Sequence, residues 1–266
     1  FNTYIAFRIA PLILIPIMLI AFISYWPRFK ALWREKLSFS KLFKQVYLKD
    51  GWWKWNIFFA AIILAALPIV IYYFQHPADF MGRTGQVSIF SSPQPIKELF
   101  ISTIKTLGQF MVKGDSNWRH NIPGSPEIFW PLIPFFFLGL IYSFVQIFKR
   151  RNYQQKNYNL LTIYFTLLVW WLIMLSPAIL TNEGLPHSLR SIGAIPPTYI
   201  FIGLGAYLFI NFLRTTIKNR RALVGVNCLL IAAALFLAGV EYYRYFIFWG
   251  QNPETRNAFS EQLVNE

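Results

Sequence analysis

Residues 160–180 read LLTIYFTLLVWWLIMLSPAIL, and the connector that follows, 181–197, reads TNEGLPHSLRSIGAIPP. The first stretch carries no charged residue and is long enough to cross roughly 30 Å of hydrocarbon as a helix. Working outward, five more apolar runs lie near 9–26, 56–74, 129–148, 199–213 and 223–240, the fifth in chain order being the shortest and able to begin as early as Ile195. Inside lipid a backbone satisfies its own polar groups only as a helix or a closed barrel, and these runs have helical length. The fold class that follows is all-α: a polytopic transmembrane helix bundle of about six spans. Residues 1–250 form that bundle, and 251–266 start a C-terminal segment outside it. Pro16, Pro68 and Pro177 fall inside spans and are predicted to kink them.

Composition agrees. Of 266 residues, 56% are hydrophobic and 14% charged, against roughly 25% charged in a soluble domain. The net charge of +14 would suit nucleic acid or anionic lipid, and the positions of the charges favour lipid. The connectors after the first, third and fifth runs hold 16 of the 25 Lys and Arg. By the positive-inside rule these connectors face the cytoplasm, which places loops 75–128 and 181–197 outside. The localisation that follows is the cytoplasmic (inner) membrane, with membrane lipid as a partner and no nucleic acid. Cys228 stands alone, so no disulfide framework or thiolate metal site is expected. The chain opens at Phe1 without an initiator Met and stops inside a predicted helix after Asn252-Pro253-Glu254, so it reads as a fragment.

The long outer loop has content of its own. Ile96, Leu99, Phe100, Thr103, Ile104, Leu107, Phe110 and Met111 recur at helical spacing, which predicts an amphipathic helix lying in the membrane interface. The segment GDSNWRHNIPGSPE, 114–127, then crowds Asp115, Asn117, Trp118, Arg119 and His120 together. Asp and Asn bind vicinal hydroxyls well and a Trp face stacks on a sugar ring, so these five are candidate sugar or acceptor contacts; a loop folding on its own charges is the plainer alternative. In 181–197, His187 and Arg190 share a face if the segment is helical. Arg190 suits a lipid phosphate through its planar fork, His187 can add a hydrogen bond, and Glu183 can hold either cation or bind sugar hydroxyls. Against this stands simple interfacial pairing. Arg8, at the outer end of the first run, is a third phosphate candidate, and Asp79 with Arg83 reads equally well as a structural ion pair. His76, His120 and His187 lie far apart without ligand spacing, so no metal site is expected. No Gly-rich phosphate loop, HExxH or CxxC is present.

NTYIAFRIAP (2–11), GDSNWRHNIPG (114–124) and EGLPHSLRSIGAIPP (183–197) together resemble polytopic membrane glycosyltransferases of the C type, the GT-C superfamily. The similarity is to bacterial relatives of the protein O-mannosyltransferases (glycosyltransferase family 39-like) and to the aminoarabinose transferase. The resemblance implies transfer of a sugar from a polyprenyl-phosphate donor to a glycan, lipid or protein acceptor on the outer face, with no firm cofactor. It also implies a catalytic acid in a first outer loop near the N-terminus. Nothing before Arg8 is acidic, so that acid is expected upstream of this chain. A transporter or flippase of a lipid-linked sugar is the alternative; it asks for polar residues deep in the spans, where this sequence offers only scattered Ser, Thr and Asn.

Overall fold

The computed structural model describes residues 11–35, 38–49, 51, 53–78, 87–149 and 158–259. It is an all-α polytopic bundle, with no strand among the described residues. In chain order the helices are α1 (Leu14–Arg34), α2 (Phe39–Phe43, running into a π-helical stretch Lys44–Lys49), α3 (Trp53–Gln75) and α4 (Pro95–Gly108). Then come α5 (Ile133–Phe148), α6 (Tyr158–Ile179), the single turn α7 (Ser188–Ser191), α8 (Ile195–Thr216), α9 (Arg220–Tyr242) and α10 (Pro253–Ala258). Five helices are long and apolar enough to cross a membrane, or six when the bent first one is included. This is the architecture of a multi-pass membrane protein.

Local chemistry sets several ends. Pro196 and Pro197 sit in the first turn of α8, where a missing N–H leaves nothing unpaired. The Asn219 side chain accepts from the backbone N–H of Arg221 at 2.9 Å and so caps α9. Asn252 caps α10 in the same way, accepting from Glu254 N at 2.9 Å, as the Asn-Pro-Glu sequence predicts. Pro68 and Pro177 lie inside their helices as expected. Pro16 falls in the first turn of α1, and the internal proline there is Pro27. A proline ring clashes with the carbonyl four residues back, here that of Ile23, and the helix bends by 41° between Ile23 and Tyr25. Helix α1 also continues to Arg34, so Arg28, Lys30 and Arg34 ride on it and not in a connector.

The core lies where α5, α6 and α8 meet, with α1 and α4 laid against α6. Phe110, Phe136, Trp171 and Phe201 form its aromatic centre, with Phe136 and Trp171 centroids 5.8 Å apart. Lipid tails are as apolar as these side chains, so close packing and hydrogen bonds must hold such helices together. Both are present. Trp171 Nε1 donates to Thr198 Oγ1 at 3.0 Å, joining α6 to α8. Gly139 on α5 and Gly205 on α8 lie at the crossing of their helices, where a Cβ on either would land 1.9 Å from a carbonyl oxygen of the other. Helices α3 and α9 bury no residue within the chain.

Helix α4 forms where the amphipathic pattern predicts it, with Pro95 in its first turn. Its polar side is the one packed inward: Ser102 and Thr106 are fully buried, and Ser102 Oγ donates to Ile179 O at 2.5 Å. Ile96, Leu99, Phe100, Ile104 and Leu107 face outward. That is the arrangement of a helix lying in an interface, with its apolar face given to lipid.

Candidate functional site

The loop between α4 and α5 is closed at its base. Ile128 N donates to Phe110 O at 3.1 Å and Glu127 N to Gln109 O at 2.9 Å, while Phe110 and Ile128 are themselves buried in the core. Within it, Gly124 N donates to Asp115 O at 2.9 Å, with Gly124 at φ +71°, a conformation glycine adopts without strain. A Cβ on Gly114 would sit 2.0 Å from Ser125 O, so the two arms of the loop touch only because residue 114 is glycine. Charge patterning places loops 75–128, 181–197 and the segment after 240 on one side, and they do share one end of the bundle. Asn182 N donates to Val87 O at 3.1 Å, and Trp249 Nε1 to Trp118 O at 2.9 Å.

Asp115 is the hub. It is 4% exposed, and its Oδ1 accepts from Asn117 N at 2.9 Å. Its Oδ2 accepts from Ser188 N at 2.9 Å, reaching across to the second loop, and lies 2.7 Å from His120 Nδ1. A carboxylate only accepts, so that ring nitrogen carries a proton. His187 Nδ1 lies 4.0 Å from the same oxygen, and the His187 and His120 rings stack with centroids 4.8 Å apart. Burial, and then the positive charge of Arg190, hold His187 down at a pKa of about 4, so its ring is neutral at physiological pH. Beside the hub, Glu127 accepts from Ser188 Oγ in a short hydrogen bond, and burial pushes the Glu127 carboxyl above its usual range.

The candidates from sequence separate into groups. Asp115, His120 and His187 come together. Asn117 and Arg119 shape the turn, Arg119 N donating to Asn117 Oδ1 at 3.0 Å and the guanidinium lying over the Phe259 ring at 5.5 Å. Trp118 contributes its carbonyl to Trp249. His187 and Arg190 do not share a helical face as the spacing suggested: His187 is extended at φ −136° and only precedes the turn α7. Its ring turns to Asp115, while Arg190 Nη1 donates to Thr181 Oγ1 at 2.8 Å and to the backbone carbonyl of Glu183 at 2.6 Å. The cation is thus met by the main chain of Glu183, whose side chain is exposed. Arg8, Asp79 and Arg83 lie outside the described residues.

A groove of about 970 Å³ opens nearby, between the start of α5, the start of α8 and the end of α9. Its walls are mostly apolar, with Leu132, Ala234, Leu237 and Ala238 among them, and Tyr199, Tyr245 and Glu241 give it a polar end. Arg244 flanks that end. It pairs with Glu241, donates from Nη2 to Ser125 Oγ at 2.6 Å and lies over the Phe129 ring at 5.0 Å. None of the residues singled out from the sequence lines this groove. Sequence reasoning passed over Arg244, Glu241 and Tyr245 because an aromatic, charged stretch at the end of a span reads as an interfacial belt. It passed over Ser188 and Glu127 because each stood beside a more conspicuous neighbour. Comparison with known proteins gives no match to a family model, a curated protein or a solved structure.

Proposed function

We propose that this chain serves membrane glycosyl transfer, with a polyprenyl-phosphate-linked sugar as donor and an acceptor on the outer face of the cytoplasmic membrane. The observation that carries the reading is the groove. Leu132 and, from α9, Ala234, Leu237 and Ala238 give it an aliphatic wall that suits an isoprenoid tail, aromatic rings line the rest, and its polar end touches the 114–128 loop through Arg244 and Tyr245. Tyr245 donates to Asn121 Oδ1 at 3.3 Å. The resemblance of the segments 2–11, 114–124 and 183–197 to GT-C enzymes supports the same reading.

In such a transfer the acceptor oxygen attacks the anomeric carbon. The bond from that carbon to the phosphate oxygen breaks, its electron pair stays on the phosphate, and a carboxylate takes the acceptor proton. The cation fixed beside the groove is Arg244, and its guanidinium suits the growing phosphate charge. Arg190, held by Thr181 and the Glu183 carbonyl, stands behind it as the second phosphate candidate.

The test uses membranes containing the full-length protein and a radiolabelled polyprenyl-phosphate sugar. Ala238→Trp, which fills the groove, is expected to lower transfer of label to acceptor at least about tenfold, a loss of ~1.4 kcal/mol in transition-state binding, without lowering membrane abundance. Unchanged transfer would remove the groove from the mechanism. Movement of intact donor across the bilayer, with no new glycosidic bond, would turn the reading to transport.

A further inference from the structure

Asp115, His120 and His187 each offer one ligand atom, and these atoms lie within 4.8 Å of one another. They come from two loops, and Ser188 N to Asp115 Oδ2, 73 residues apart, fixes the loops relative to each other. The three side chains are 6%, 10% and 19% exposed, so they are walled in but not sealed. One of them has an unmet need. His187 Nδ1 is a buried polar atom with no hydrogen-bond partner, and it faces the carboxylate oxygen at 4.0 Å. Leaving such an atom unpaired in a buried place is destabilising.

We propose that Asp115, His120 and His187 bind one divalent transition-metal cation of the zinc type. A cation between the two rings and the carboxylate gives His187 its missing partner. Tetrahedral zinc with bonds of about 2.0–2.1 Å spaces its ligand atoms roughly 3.3 Å apart. The present separations from Asp115 Oδ2, 2.7 Å to His120 Nδ1 and 4.0 Å to His187 Nδ1, bracket that value, so these two pairs move by less than about 1 Å. If the cation takes His120 through Nδ1, the proton now shared with Asp115 is released to solvent. Two imidazoles and one carboxylate suit zinc better than magnesium or calcium, which prefer all-oxygen shells. Three protein ligands leave a fourth position for water or for a ligand oxygen, as in zinc sites that act on a substrate. Ser188 N and Asn117 N, both donating to the Asp115 carboxylate, supply the outer hydrogen bonds that hold a ligating group in place. This site stands apart from the sugar-transfer reading, because its test reads metal and not product.

The full chain, purified in detergent and stripped with chelator, is titrated with Co²⁺ as an optical probe and then with Zn²⁺ in competition. The expected result is one Co²⁺ per chain with the intense visible bands of a low-coordinate site, displaced by one equivalent of Zn²⁺. His187→Ala is expected to weaken Co²⁺ binding at least tenfold; its Nδ1 makes no hydrogen bond, so Asp115 keeps its partners and the loop its fold. Asp115→Asn should do the same, and His76→Ala, on the exposed residue after α3, should bind as wild type. Wild-type binding no tighter than that of His187→Ala overturns the proposal, as does a weak six-coordinate spectrum typical of scattered surface sites. If Asp115→Asn does not fold, the comparison of wild type with His187→Ala decides alone.

Discussion

The crossing of α5 and α8 offers the sharpest quantitative prediction. A Cβ added at Gly139 would meet Phe201 O at 1.9 Å and Phe201 C at 2.7 Å; one added at Gly205 would meet Phe135 O at 1.9 Å. Weak C–H···O hydrogen bonds settle at about 3.3 Å, so Gly139→Ala forces the helices apart by roughly 1.4 Å where they touch. Overpacking of this kind costs about 1–3 kcal/mol. That loss corresponds to a fall in Tm of about 2–12 °C for a chain of this size. The control lies on the same helix as Gly205. Gly203 has nothing within 4 Å of its added Cβ, and alanine there gains helix propensity of about 0.8–1 kcal/mol. Thermal unfolding in detergent, followed by tryptophan fluorescence, should show Gly139→Ala and Gly205→Ala falling while Gly203→Ala holds or rises. Matching Tm values for Gly139→Ala and Gly203→Ala would refute the argument that backbone proximity at this crossing holds the bundle.

Two further outcomes follow from the loop side. His187 titrates near pH 4 in the folded chain against 6.5 for a free side chain, so the unfolded state takes up the extra proton first; metal-free stability should be level above about pH 6.5 and fall toward pH 4 by at most ~3 kcal/mol, and His187→Gln should flatten that decline in a pH series of unfolding curves. Ile104 lies on the outward face of α4 at 54% exposure, so Ile104→Glu should loosen the helix from a bilayer and speed hydrogen exchange across 95–108 in nanodiscs, while Lys105→Glu should change little.

What the sequence made legible follows from how strongly the surroundings constrain each residue. Hydrocarbon permits so few backbone solutions that the apolar runs alone defined the spans, and the run at 199–213, short enough to begin as early as Ile195, does start there as α8. The α5–α8 crossing left no such mark: Gly139 and Gly205 are small residues in apolar helices, and only the partner's carbonyl, supplied by distant chain, makes either one necessary. Helix α4 shows the same division. Its periodicity was plain and the outward turn of its apolar face followed from it, but the hydrogen bond that docks its polar face, Ser102 to the Ile179 carbonyl, joins residues 77 apart and left no mark in the sequence. At the site, Asp115 and His120 stood out as ionisable residues crowded in the long outer loop, and His187 as one in the short connector 181–197. Their convergence did not, because Asp115 and Ser188 lie 73 residues apart and His187 was read as a helical neighbour of Arg190. Arg244 was hidden by context, since the sequence around it has the composition of an ordinary membrane boundary.

The burial of Asp115 ties these levels together. Taking a carboxylate out of water costs several kcal/mol, so a residue 4% exposed needs strong compensation. Three donors supply it, from Asn117 N, His120 Nδ1 and Ser188 N, and hydrogen bonds to a charged group are worth about 1.5–3 kcal/mol each. One of the three comes from the second loop. The carboxylate is therefore satisfied only while α5, α6 and α8 keep both loops at their present separation, through the Phe110–Ile128 base on one side and α7 on the other. A solvent-exposed acid would bind a cation without this expense. A buried one, fixed by backbone N–H groups from two loops, is held in a set position beside His187, whose Nδ1 has no hydrogen-bond partner. The chemistry at this face thus depends on helix packing in the core below it, and separating the helices at Gly139 and Gly205 should disturb the loops as well as the spans.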